Sequence, residues 1–108
     1  MIDEALKARI ESLIHSNRVV LFMKGNKNFP QCGFSAHVLD ILKKSGVDFA
    51  THNILTDPEV RQGLKEYSNW PTYPQLYVDG KLVGGADIVS DLAASGELEG
   101  LLRGSAQN

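Results

Sequence analysis

Apolar residues recur near the start of the chain at Ile2, Leu6, Ile10 and Leu13, a spacing that places them on one helical face, and Asp3 suits the start of that helix. The period then changes. Behind Arg18, Val19 to Met23 is an unbroken apolar run rich in β-branched residues, the form of a strand covered on both faces of a sheet. A polar loop, Lys24 to Gln31, follows it. Past Cys32, helical spacing returns at Phe34, Val38, Ile41 and Leu42, and Lys43-Lys44-Ser45-Gly46 closes that helix with cations and a glycine stop. Val47 to Ile54 reads as a second strand. Strand, helix and strand in succession make a βαβ unit, with its two strands parallel and its crossover right-handed.

The second half has a different order. Asp57-Pro58-Glu59 carries a capping carboxylate and then proline at the first helical position, so a helix starts there. It is expected to turn Val60, Leu64 and Tyr67 inward and to stop before Trp70-Pro71. Gln75 to Val78, Asp79-Gly80, and Lys81 to Val83 read as a hairpin, because Asp-Gly favours the turn that matches strand twist, and Gly84-Gly85 ends it. A helix from near Asp87 carries Ile88, Val89 and Leu92, and a last turn lies around Leu98 to Leu102. The predicted class is α/β: a four-stranded mixed sheet flanked by helices, a βαβ half joined to a ββα half, with an extra N-terminal helix. One domain is expected over residues 1–103, with 104–108 a polar tail that frays.

Composition narrows the function. Hydrophobic residues are 43% and charged residues 22% of 108, a globular balance, and the net charge of −2 comes without a basic stripe, which disfavours a nucleic-acid partner. The longest apolar run is Val19 to Met23, far short of the roughly 20 residues that span a bilayer, so no membrane partner is expected. Met1-Ile2-Asp3-Glu4 opens acidic and amphipathic, without the basic start of a secretory signal. A single cysteine excludes a disulfide framework within the chain, and a reducing, cytoplasmic setting is the expectation.

That cysteine has a telling position. Cys32 lies past the C-terminal end of the first strand and at the start of a helix, where unpaired N–H groups and the helix dipole favour a thiolate over the usual pKa of about 8.5. Gly33 leaves room beside the sulfur, and Lys24 on the facing loop adds positive potential. The alternative, a buried and inert thiol, is the common fate of a lone cysteine. The Pro-Gln-Cys-Gly context argues against it.

Three segments carry a resemblance: "MKGNKNFPQCGFS", "NWPTYPQLYVDG" and "LVGGADIV". In order, and over nearly the whole chain, they resemble the signature segments of the monothiol glutaredoxins, the single-domain class with a Cys-Gly-Phe-Ser site. The resemblance implies a thioredoxin-like fold, a cis Pro74, and a site for glutathione formed by Lys24, Cys32, Arg61, Tyr73, Pro74, Ala86 and Asp87. Lys24 and Arg61 would face the glycine carboxylate, where Arg can grip it bidentately. Tyr73 would offer its backbone to the cysteinyl part, and Ala86 with Asp87 would hold the γ-glutamyl end. Taken singly, Lys24 and Arg61 read as solvated surface charges and Asp87 as a helix cap. Their convergence on one thiol shifts that reading.

Other candidates carry less. His15, His37 and His52 show no metal-ligand spacing with one another or with Cys32, and His37, five residues on, receives no base role. Ser35 stands where dithiol relatives carry a second cysteine and is expected to hydrogen-bond the first helical turn. Trp70 is read as a core anchor before a ligand or partner surface. Gly84-Gly85 either admits a ligand or only ends a strand.

Two functions follow by the resemblance. In the first, a [2Fe-2S] cluster bridges a homodimer through two Cys32 sulfurs, with two glutathiones completing its four ligands, and is passed to acceptor apoproteins with BolA-type proteins as partners. In the second, Cys32 removes glutathione from protein mixed disulfides, a glutathione-dependent oxidoreductase activity. Two departures from the family pattern stand out. Ala86 replaces a frequent cysteine or serine, and Asn26-Lys27-Asn28 differs from the Thr-Pro-Glu-like loop, which puts loop rigidity in question.

Overall fold

In the computed structural model, which describes residues 2–104, the run Val19–Met23 forms β1 with all of its residues buried. Pleating explains why that run is continuously apolar. Val19, Leu21 and Met23 enter one core cluster and Val20 and Phe22 the other, so each face of the strand needs apolar side chains. The elements run α1 (Glu4–Ile14), β1, α2 (Gly33–Ser45), β2 (Ala50–Asn53), a 3₁₀ turn (Ile54–Thr56), α3 (Pro58–Ser68), β3 (Gln75–Val78), β4 (Lys81–Gly84), α4 (Ala86–Ser95) and α5 (Glu97–Arg103). The sheet order is β2-β1-β3-β4, with β1 parallel to β2 and antiparallel to β3, and β3 antiparallel to β4. The expected fold class is the observed one.

Each sheet face receives its own helices. Val38, Leu39 and Leu42 of α2, Val89 of α4, and Leu98 and Leu102 of α5 cover one side. Ile10 and Ile14 of α1 and Val60 and Leu64 of α3 cover the other, with Phe22 and Tyr77 in edge-on contact between them. Local chemistry sets the ends. Asp3 accepts from the Leu6 N–H at 2.8 Å and caps α1, Asp57 accepts from the Val60 N–H and caps α3, and Gly46 stops α2 in the left-handed region at φ 76°. The hairpin turns through Asp79 and Gly80, both at positive φ (53° and 79°), as the Asp-Gly signal predicts.

Several placements differ from the sequence expectation. The second strand is shorter, Ala50–Asn53, because Val47 to Phe49 approach it as irregular chain and Ile54 enters the 3₁₀ turn. Gly84 pairs with Leu76 across a register shift and belongs to β4, so α4 begins directly at Ala86. Tyr67, expected inward, is 37% exposed, and Phe34 and Ile88, which belong to the apolar spacing of their helices, are 64% and 38% exposed. On α2 the core-facing row is Ser35, Val38, Leu39 and Leu42, one position round from Phe34. Gly104 caps α5, and residues 105–108 of the expected frayed tail lie outside the described residues.

Candidate functional site

Cys32 is the N-cap of α2, extended at φ −150° and ψ 138°, and its side chain makes no capping hydrogen bond. Its thiol is half-buried. The backbone N–H of Ser35 draws the thiol toward its thiolate and lowers its pKa against the opposing effect of burial, with further help from the Phe34 N–H, the Lys24 charge and the Ser35 hydroxyl. A Cβ on Gly33 would meet no atom within 4 Å, so the space beside it is open. The reactive reading of Cys32 therefore has a geometric basis in the first turn of α2.

Ser35 does more than the sequence implied. It is fully buried, and its Oγ accepts from the Lys24 N–H at 3.0 Å, tying the end of β1 to α2 instead of only bonding its own turn. The loop between them is fastened at several points. Asn26 and Phe29 exchange backbone hydrogen bonds at 3.2 Å, and the Asn26 side-chain oxygen accepts from the N–H groups of Asn28 and Phe29 at 2.9 Å. The Gln31 N–H donates to the Lys24 carbonyl at 2.8 Å and the Gly25 N–H to Asn53 Oδ1 at 3.0 Å. The Lys27 ammonium donates to the Phe49 carbonyl and lies 4.2 Å from the centre of that ring. Asn26 and Lys27, the departures that put rigidity in question, are the residues that pin the loop.

The predicted site residues separate into two groups. Cys32, Ala86 and Asp87 line one cavity of about 480 Å³, with Gly33, Phe34 and His37. Lys24, Arg61, Tyr73 and Pro74 do not line it. Lys24 follows β1, Arg61 sits in the first turn of α3, and Tyr73 precedes a cis bond to Pro74 ahead of β3. Tyr73 is buried, which pushes its phenol up out of the ordinary range, and its hydroxyl donates to the Arg61 carbonyl at 2.8 Å. Among the described residues, neither the Lys24 ammonium nor the Arg61 guanidinium has a hydrogen bond or ion pair. Both remain available to a ligand. At α4, Gly85 is an N-cap without a side-chain bond, and Asp87 supplies a carboxylate in the first turn.

Sequence reasoning missed His37. It lines the Cys32 cavity and its Nε2 lies 3.2 Å from Ser90 Oγ, joining α2 to α4. Cys32 is the cap and lies outside the helix proper, so counting five residues from it misjudged the face; His37 is one turn on from Gly33 and Phe34. Trp70 is half-buried in the wall of an adjoining cavity and outside both core clusters, which corrects its reading as a core anchor. Gly85 leaves room for it: a Cβ there would come within 3.2 Å of the indole Nε1. Among the described residues no group of three or more His, Cys, Asp or Glu could hold a metal ion.

A family model described as glutaredoxin matches residues 19–83. Glutaredoxin-3 of Homo sapiens is 59% identical over 99 residues, covering 92% of this chain and 30% of the human protein. The chain thus spans about a third of that relative's length. A monothiol glutaredoxin ycf64-like protein of Synechocystis is 55% identical over 96 residues, covering 89% of this chain and 90% of that protein. Among solved structures, reduced apo GrxS14 of poplar is 50% identical with a TM-score of 0.81, covering 95% of this chain and 94% of that one. A buckwheat glutaredoxin–glutathione complex, 24% identical with a TM-score of 0.80, covers 95% and 94% and shares the fold.

Proposed function

From the premise that this chain belongs to the glutaredoxin family, and to its monothiol class, we propose that it binds glutathione beside Cys32 and carries a [2Fe-2S] cluster as cargo between two copies of itself. The observation that carries this reading is the lone thiol at the α2 N-terminus, drawn toward its thiolate and open to a cavity it shares with Ala86 and Asp87. Thiolates are the ligands such clusters take, four in number. Two Cys32 sulfurs and two glutathione sulfurs complete the set, which makes the homodimer part of the holo state. Glutathione would be held with Lys24 and Arg61 toward its glycine carboxylate, the Tyr73 backbone along its middle, Pro74 beneath it, and Ala86 with Asp87 at its γ-glutamyl end. The buckwheat complex supports a glutathione site on this fold. Cys32 is half-buried, and cargo held there by one protein ligand per chain suits exchange to acceptor apoproteins, with BolA-type proteins as partners. The lone cysteine also fits a reducing, cytoplasmic setting.

The same thiolate favours a second reading. Cys32 attacks the glutathione sulfur of a protein mixed disulfide, releasing the protein thiolate; a second glutathione thiolate then attacks the Cys32 disulfide, releasing oxidised glutathione and restoring the Cys32 thiolate. Anaerobic reconstitution with iron, sulfide and glutathione separates the two. Visible absorption in a dimer that contains glutathione, lost in Cys32→Ser, supports cluster carriage. A colourless monomer that turns over mixed disulfides supports the oxidoreductase.

A further inference from the structure

Among the described residues, Ser35 and Gln75 are the polar side chains with no exposed surface. Ser35 ties β1 to α2; Gln75 opens β3, between the chain that leaves α3 and the central sheet. A buried amide is costly unless both of its polar atoms are paired, and both are. Nε2 donates to the Trp70 carbonyl at 3.2 Å and to the Thr72 carbonyl at 3.3 Å, while Oε1 accepts from the Tyr77 hydroxyl at 2.9 Å. Burial pushes the Tyr77 phenol up to about 12, so it keeps the proton it donates. The reverse amide orientation would set Oε1 against two carbonyl oxygens, so the network admits one.

The segment held this way is short of donors of its own. Between α3 and β3 it reads Trp70-Pro71-Thr72-Tyr73-Pro74, and neither proline has an N–H. Gln75 supplies what the backbone lacks. The bond from Thr72 to Tyr73 is trans, which turns the C=O and N–H of that peptide to opposite sides. With the Thr72 carbonyl held on Gln75, the Tyr73 N–H points away from it, and among the described residues that N–H has no hydrogen-bond partner. Its surroundings are fixed too. The Tyr73 hydroxyl donates to the Arg61 carbonyl at 2.8 Å, and the Pro74 carbonyl oxygen would lie 3.3 Å from a Cβ on Gly85, the N-cap of α4.

We propose that Gln75 is a positioning residue: by drawing the Trp70 and Thr72 carbonyls inward, its amide presents the Tyr73 N–H to a peptide carbonyl of the ligand. This rests on the glutathione reading and adds to it the side chain that aims the backbone donor.

Reduced glutathione is titrated into ¹⁵N-labelled wild type, Gln75→Met and Gln75→Glu. In the wild type the Tyr73 amide proton should move downfield as the Ala86 and Asp87 amides respond. Gln75→Met fills the space without donors: it should bind glutathione about tenfold more weakly and lose the Tyr73 shift. Its Cys32 alkylation midpoint should not change, because the first turn of α2 sets the thiol. Gln75→Glu keeps one O–H donor while its buried carboxyl is protonated, so its deficit against wild type should be small near about pH 5.5 and widen toward about pH 8. A side chain that only filled space would leave the Tyr73 shift in place in both variants. If the wild-type Tyr73 proton stays while Ala86 and Asp87 respond, or if Gln75→Met keeps both its affinity and the Tyr73 shift, the proposal is overturned and the glutathione site stands. If none of the three amides responds in the wild type, the glutathione reading fails and takes the proposal with it. Should Gln75→Met not fold, Gln75→Glu carries the comparison, and a deficit that is absent or equal at both pH values overturns the proposal.

Discussion

Replacing Asp57 with asparagine separates the charge of this carboxylate from its capping role, since asparagine caps a helix about as well as aspartate. Asp57 caps α3, takes a bidentate pair from Arg9 of α1 at 3.0 and 2.6 Å, and lies 2.6 Å from His52 Nε2 of β2. Three elements meet on one side chain that is only 11% exposed. The Arg9 hydrogen bonds, with help from His52 and the Val60 N–H, hold its pKa at about 2 against an ordinary 3.8. At 1.36 kcal/mol per pH unit, the gap corresponds to about 2 kcal/mol of folding stability. Because the folded-state value is depressed, that stability is fully present above about pH 4 and is lost as pH falls toward 2. Arg9 is 46% exposed, so in Asp57→Asn it stays hydrated and adds little further cost. Urea unfolding followed by circular dichroism should find the variant less stable by about 2 kcal/mol at pH 7, a midpoint shift of about 1 M. The difference should shrink to about half by pH 3. A difference below about 0.5 kcal/mol at pH 7, or one that stays constant between pH 5 and pH 2.5, would refute the linkage. The proposed site is touched as well: the Arg61 N–H donates to the Asp57 carbonyl at 2.9 Å, so loosening this corner of α3 should also weaken the proposed glutathione binding.

Further outcomes follow from the Cys32 surroundings. The pH midpoint for iodoacetamide alkylation of Cys32 should lie below that of a free thiol, and Lys24→Gln should raise it only slightly, because the Ser35 N–H is the larger cause; a full return to the free-thiol value would contradict that ranking. Ser35→Ala takes the acceptor from the part-buried Lys24 N–H and should cost about 1 kcal/mol in thermal unfolding while raising the thiol midpoint. Gly25→Ala is expected to open the loop, since φ is +101° and a Cβ would collide with the Phe29 carbonyl oxygen, the Gln31 nitrogen at 2.6 Å and Pro30 Cα at 2.9 Å, all of them backbone. Faster hydrogen exchange at the Gln31 amide would report it, and unchanged protection would argue that the chain can shift to admit the methyl group.

Much of the fold was legible because its signals are local. Helix caps at Asp3 and Asp57, the glycine stop at Gly46 and the Asp79-Gly80 turn are settled by dihedral preferences and hydrogen bonds within one turn of chain. The address of Cys32 at a strand-to-helix junction followed from the same punctuation. Which way a helix faces is another matter: Phe34 satisfied the apolar period, yet Ser35 points inward, where the Lys24 N–H across the junction needs an acceptor. Periodicity defines a stripe, and docking against the sheet decides its edges.

Local pattern therefore established the element order, the buried central strand and a thiol at a helix start, each of which depends on residues a few positions apart. Tertiary packing decided the rest. It brought Cys32 into one cavity with Ala86 and Asp87, some fifty residues distant, set His37 against Ser90, and left the Trp70 indole beneath Gly85. Cys32 meets Ala86 and Asp87, and His37 meets Ser90, because α2 and α4 pack on the same face of the sheet, and no short window of the chain contains both helices.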